Sequence, residues 1–90
     1  MAKVVWPSAA TDHIDHITAH IARFDPMAAE EIRDRLFALG NSLIDFPNRG
    51  RPASGGTREL TAVPPYILRY EVENDRVIIL SIRHGARNPD

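Results

Sequence analysis

Apolar residues recur at spacings of three and four through residues 14–46, then crowd into short runs between 57 and 84. The first period is that of α-helices with one buried face, and the second is that of strands. Ile14, Ile17, Ile21 and Phe24 fall on one face of a first helix, with Ser8 standing where an N-cap is expected. Asp25-Pro26 breaks the pattern and restarts it, Asp25 as cap and Pro26 in the first turn, where proline's missing N–H is not needed. Ile32, Leu36, Leu39, Leu43 and Phe46 form the stripe of a second helix, widened by Phe37 and Ile44 and ended by Pro47. A stripe this wide requires cover from both a helix and a sheet. Gly40, which costs about 1 kcal/mol against alanine in a helix, points to a close approach of the two helices. The short link makes them an antiparallel hairpin.

Ahead of the hairpin, Lys3 to Trp6 reads as a short strand stopped by Pro7, since proline cannot donate to a ladder. Residues 47–56 form a loop by composition. Thr57–Val63, Tyr66–Val72 and Arg76–His84 then read as strands, separated by Pro64-Pro65 and by a tight turn at Asn74-Asp75. In the last strand Val77, Ile78, Ile79, Leu80 and Ile82 are apolar at both parities, the pattern of a strand covered on both faces, so it is expected inside the sheet. Two- and three-residue loops at Asn74-Asp75 give opposite pairings, and the pattern leaves both open. The order β-α-α-β-β-β predicts an α+β fold of one domain over residues 1–90. In it a helical hairpin packs on one face of a small, mainly antiparallel sheet.

Composition narrows the functional classes. Ninety residues with 43% hydrophobic and 26% charged content read as globular rather than disordered. No run of 18 apolar residues exists to span a membrane, and the N-terminal apolar stretch is too short for a signal peptide. Cysteine is absent, which removes thiol chemistry and the disulfides usual in small secreted domains. A cytoplasmic protein is the expectation. A net charge of −1 argues against a simple polyanion binder, but the charge is uneven. Residues 1–46 carry four basic and seven acidic groups, whereas residues 47–90 carry seven arginines and five acidic groups. Arginine's planar fork suits fixed pairing with carboxylate or phosphate.

Candidate chemistry is sparse. His13, His16 and His20 share one helical stripe, with Asp12 at i+4 from His16, a spacing that could present imidazoles to a transition metal. Polar residues flanking an apolar stripe are also what any half-buried helix carries, so no metal and no cofactor is expected. Ser54-Gly55-Gly56 lacks the lysine and following helix of a phosphate-cradling loop. RNA cleavage would need a proton-transfer group and cations. His84, with Arg58, Arg69 and Arg83 on candidate strands, is the set that could supply them. Used for binding instead, Arg58, Arg69, Arg83 and Arg87 could pair with acidic groups of a target protein, with Trp6, Tyr66 and Tyr70 nearby.

Several strings, in order, resemble the ParE/RelE superfamily of type II toxin–antitoxin toxins. They are Trp6-Pro7-Ser8-Ala9-Ala10, Phe46-Pro47-Asn48-Arg49-Gly50-Arg51-Pro52, Thr57-Arg58-Glu59-Leu60, Pro65-Tyr66-Ile67-Leu68-Arg69-Tyr70 and Ile82-Arg83-His84-Gly85-Ala86-Arg87. The closing His-Gly-Ala-Arg and the Phe-Pro…Gly-Arg-Pro loop look more like ParE than RelE. The ParE resemblance implies a toxin that inhibits DNA gyrase by binding; the RelE alternative implies a ribosome-dependent ribonuclease. Either implies a cognate antitoxin, ParD-like with a ribbon-helix-helix domain, whose C-terminal segment wraps the toxin across the helical hairpin and the sheet edge. Glu30, Arg33, Phe37 and Ile44 on the second helix are the residues expected to meet it.

Overall fold

The computed structural model describes residues 3–85. Strand β1 spans Lys3–Val5, helix α1 Ser8–Ala22 and helix α2 Pro26–Asn41. Strands β2 (Arg51–Pro52), β3 (Arg58–Val63), β4 (Tyr66–Glu73) and β5 (Arg76–His84) follow. The sheet order is β1-β5-β4-β3-β2, with β1 parallel to β5 and the other neighbours antiparallel. This is the expected α+β layout, with one short strand, β2, added inside the segment read as a loop. Among the described residues no helix is long and apolar enough to cross a membrane.

The helical hairpin forms for the reasons its sequence gives. Asp25 caps α2, its Oδ1 accepting from the Ala28 N–H at 3.1 Å, and Pro26 opens the helix. Three details differ from expectation. Ser8 is the first residue of α1 rather than its cap; Pro7 holds the cap position in extended backbone, and its carbonyl accepts from the N–H groups of Ala10 and Thr11. Phe24 lies past the end of α1 and is 78% exposed, because the chain has already turned toward Asp25. The second stripe also stops short: α2 ends at Asn41 and the chain tightens into a 3-10 turn over Ser42–Ile44, where the Ser42 hydroxyl donates to the Leu39 carbonyl at 2.6 Å. Ile44 and Phe46 are therefore thrown outward.

Ile14, Leu36, Leu39 and Leu43 from the helical side pack on Leu60, Leu68, Tyr70, Val77, Ile79 and Ile82 from the strands. Gly40 is a point of close approach, but to Trp6 rather than to α1: a Cβ there would come within 2.6 Å of Trp6 Cη2. Trp6 in turn packs at a tilt against Phe37, 4.7 Å between centroids, and donates from Nε1 to Asn41 Oδ1 at 2.9 Å.

Glu73 pairs with Arg76, so the β4–β5 loop is the two-residue Asn74-Asp75, with Asn74 in left-handed backbone at φ 58°. Near its far end β5 carries one extra residue: Arg69 faces Ser81 and Tyr70 faces Ile79, leaving Leu80 as a bulge. Strand β5 is flanked on both sides, as its apolar run suggests, but it is covered on one face only. Val77, Ile79 and Ile82 are buried, whereas Ile78 and Leu80 are half-buried and belong to the face the helices do not cover.

Candidate functional site

Residues paired across neighbouring strands share a face of the sheet. Leu60, Leu68 and Ile82 line up on the helix-covered face. Glu59, Arg69 and Ser81 line up on the opposite, open face, with Arg51 beside Glu59 and Arg83 beside Ile67. Glu59 is the centre of this face. Its side chain is only 7% exposed, although no helix covers it, because guanidinium groups close over it. Oε2 accepts from Arg69 Nε at 3.2 Å, Arg69 Nη2 at 2.7 Å and Arg83 Nη2 at 3.2 Å; Oε1 accepts from Arg51 Nη2 at 3.4 Å. The Arg69 hydrogen bonds are the largest reason that the Glu59 carboxyl lies below its ordinary value; burial works against them, and Arg83 and Arg51 add to the lowering. The carboxylate stays ionised and fixes the arginine heads in place.

Arg58 does something else. It lies on the covered-face parity of β3, opposite Tyr70, and its Nη1 donates to the Gly50 carbonyl at 2.6 Å and the Asn48 carbonyl at 3.3 Å. Tyr70 completes the same clasp. Its buried hydroxyl donates to the Pro47 carbonyl and accepts from the Gly50 N–H, both at 2.8 Å. Arg49 ties the loop back to α2 through the Ser42 hydroxyl at 2.8 Å. The Pro47–Pro52 string is thus held by side chains reaching into backbone groups, and Arg58 belongs to that clasp rather than to the open arginine cluster.

His84 lies on the covered-face parity, in register with Tyr66, whose ring it meets edge-on at 5.6 Å. These two, with His16, Ile17 and His20 from α1, line a cleft at the end of the sheet. His13 turns inward, its Nδ1 accepting from the Ile82 N–H at 3.2 Å. The three helix histidines therefore do not act as a set, and among the described residues no group of three or more His, Cys, Asp or Glu could hold a metal ion. The candidate nuclease set is split: His84 faces the helices, Arg69 and Arg83 face away, and Arg58 is occupied by the loop.

Of the residues expected at the antitoxin surface, Arg33 bridges to Asp15 of α1 at 3.0 Å and lies over the Phe37 ring at 5.1 Å. Phe37 packs against Trp6 and so belongs partly to the protein's own core. Glu30 is exposed on α2, and Ile44 is 43% exposed beyond its end. Arg87 lies outside the described residues. Two members of the open cluster escaped sequence reasoning. Arg51 lies in a segment whose composition is that of a loop, and a role for Glu59 emerges only from the β3–β4 register that sets it opposite Arg69.

The family model for the ParE toxin of type II toxin–antitoxin systems, parDE, matches residues 4–89. The chain belongs to the ParE toxin family. Toxin RelE2 of Caulobacter vibrioides is 44% identical over 87 residues, covering 97% of this chain and 99% of that protein. Protein Y4kP of Sinorhizobium fredii is 34% identical over 85 residues, covering 92% of this chain and 88% of the relative. A solved chain of the chromosomal ParDE TA system from P. aeruginosa superposes with a TM-score of 0.85 at 25% identity, covering 93% of this chain and 96% of its own. The fold is therefore that of a ParE-family toxin, and the resemblance carried by the local strings holds across nearly the whole chain.

Proposed function

We propose that this ParE-family toxin acts in the cytoplasm by binding DNA gyrase and blocking it, and that a cognate antitoxin neutralises it. The separation of His84 from Arg69 and Arg83 across the sheet carries this reading. General acid–base cleavage of RNA needs a proton-transfer group within hydrogen-bond reach of the reacting oxygens, with cations on the same phosphate. Among the described residues the one histidine on a strand, His84, lies on the opposite parity from Arg69 and Arg83 and so on the other face of the sheet. Inhibition by occupancy needs no proton relay. The antitoxin is expected to be ParD-like, a ribbon-helix-helix protein with a C-terminal segment that wraps the toxin. Glu30 and Ile44, the exposed pair on and beyond α2, are the residues we assign to that contact, with the outer edges of Arg33 and Phe37 beside them.

The competing reading, a RelE-like ribonuclease, draws on the name RelE2 carried by the Caulobacter relative. His84→Ala separates the two. A gyrase inhibitor keeps its growth arrest and its block of supercoiling in this variant. Loss of arrest together with loss of codon-phased cuts in cellular transcripts would replace our reading with the ribonuclease.

A further inference from the structure

We infer that the open face of the sheet, centred on the arginines around Glu59, is where this toxin docks its target, and that the target presents there an acidic segment flanked by apolar side chains. The inference rests on the reading that the toxin acts by binding.

Charge is the first support. The described residues of the open face carry Lys3, Arg51, Arg69, Arg76 and Arg83 against Glu59, Glu71 and Glu73. Glu73 and Arg76 hold each other at 2.9 Å, so the positive excess collects where three guanidinium groups share the Glu59 carboxylate. The chain as a whole is net −1, which makes this face unlike the rest of the molecule.

Order is the second support. Arg69 and Arg83 keep 32% and 28% of their side-chain surface in water while Glu59 fixes their heads. Such groups give up little rotamer freedom when a partner arrives, and since Glu59 takes Nε and Nη2 of Arg69, a partner's carboxylate would be met by the outward edge of that guanidinium. Apolar surface is the third. Ile67, Ile78 and Leu80 are half-buried on this face and stand outside the helix-side core. Arginine is enriched at protein–protein interfaces, and the aliphatic side chains beside it supply apolar area to bury. A nucleic-acid backbone fits less well, because the cluster has a carboxylate at its centre and the helical half of the chain is acidic.

The test uses the full chain and three variants. Arg51→Glu reverses the most exposed arginine of the cluster, and Ser81→Glu places a carboxylate opposite Arg69 that occupies the cluster from within. Arg35→Glu makes the same charge change on exposed α2. Binding to gyrase, binding to the antitoxin, thermal unfolding and growth arrest are measured for each. The expected result is at least about tenfold weaker gyrase binding for the two face variants and within about twofold for Arg35→Glu, with antitoxin binding unchanged for Ser81→Glu, on a strand inside the sheet, and unfolding of all three within a few degrees of the wild type. Gyrase binding at wild-type strength in both face variants overturns the docking face and leaves the gyrase reading standing. A wild-type chain that arrests growth without binding gyrase overturns the gyrase reading instead; the docking face then stands if the face variants relieve arrest and falls if they do not. Equal loss in all three variants, or loss confined to binding of single-stranded or duplex nucleic acid, overturns the carboxylate assignment. A wild-type chain that neither arrests growth nor binds gyrase overturns both.

Discussion

On the covered face of the sheet Leu68, Tyr70 and Ile79 are sealed from water beneath Ile14, Leu36 and Leu43. On the open face of the same strands, a carboxylate is buried almost as deeply by three arginines and no helix. The covered face is held by apolar burial, which is strong, undirected and tolerant of salt. The open face is held by directed, charge-assisted hydrogen bonds whose outer edges remain wet. The comparison separates two duties: one face makes the fold, and the other keeps a set of charged groups in a fixed arrangement at modest energetic return. Removing residues from each face should expose that difference.

The largest effect is expected on the covered face. Leu68→Ala empties a fully buried site and should cost about 2–5 kcal/mol in chemical denaturation. Gly40→Ala should follow at about 1–3 kcal/mol, because the new methyl forces Trp6 off Phe37 and Asn41; a shift in tryptophan fluorescence should accompany it. On the open face, Glu59→Gln should cost about 1–2 kcal/mol at neutral pH, since the arginines that lose its charge are partly hydrated. That variant also tests the pH dependence. The folded Glu59 carboxyl lies below its ordinary value of about 4.5, so its stabilisation is complete above that value and is lost as pH falls through the depressed one. Thermal unfolding followed from neutral to strongly acidic pH should reveal a loss in the wild type that the variant lacks. The smallest effect belongs to Arg51→Ala, whose 3.4 Å bond and 68% exposure limit it to about 0.5 kcal/mol in denaturation. A cost for Arg51→Ala equal to that of Leu68→Ala would erase the distinction between the faces.

The covered face was legible from spacing alone. Ile14, Leu36, Leu39 and Leu43 sit at helical intervals, and each is buried. The open face was not legible, because its centre depends on register. Glu59 and Arg69 are ten residues apart and meet only when β3 and β4 pair as they do. The bulge at Leu80 then brings Ser81 rather than Leu80 opposite Arg69. Arginine position misled in a further way: Arg58 and Arg69 look alike on predicted strands, yet their parities send one into a loop clasp and the other to Glu59. Phe24 and Phe46 continued helical stripes on paper, but local hydrogen bonding at Asp25 and Ser42 had already ended each helix. The family strings mark mostly structural parts, such as the Pro47–Pro52 loop held by Tyr70 and Arg58.

The central claim, that this toxin works by occupancy, is tested most directly by titrating purified gyrase with purified toxin and following supercoiling at several incubation times. Binding predicts that residual activity falls with the toxin-to-gyrase ratio, stays constant with further incubation, and returns when antitoxin is added. Full supercoiling activity at saturating toxin would contradict the account.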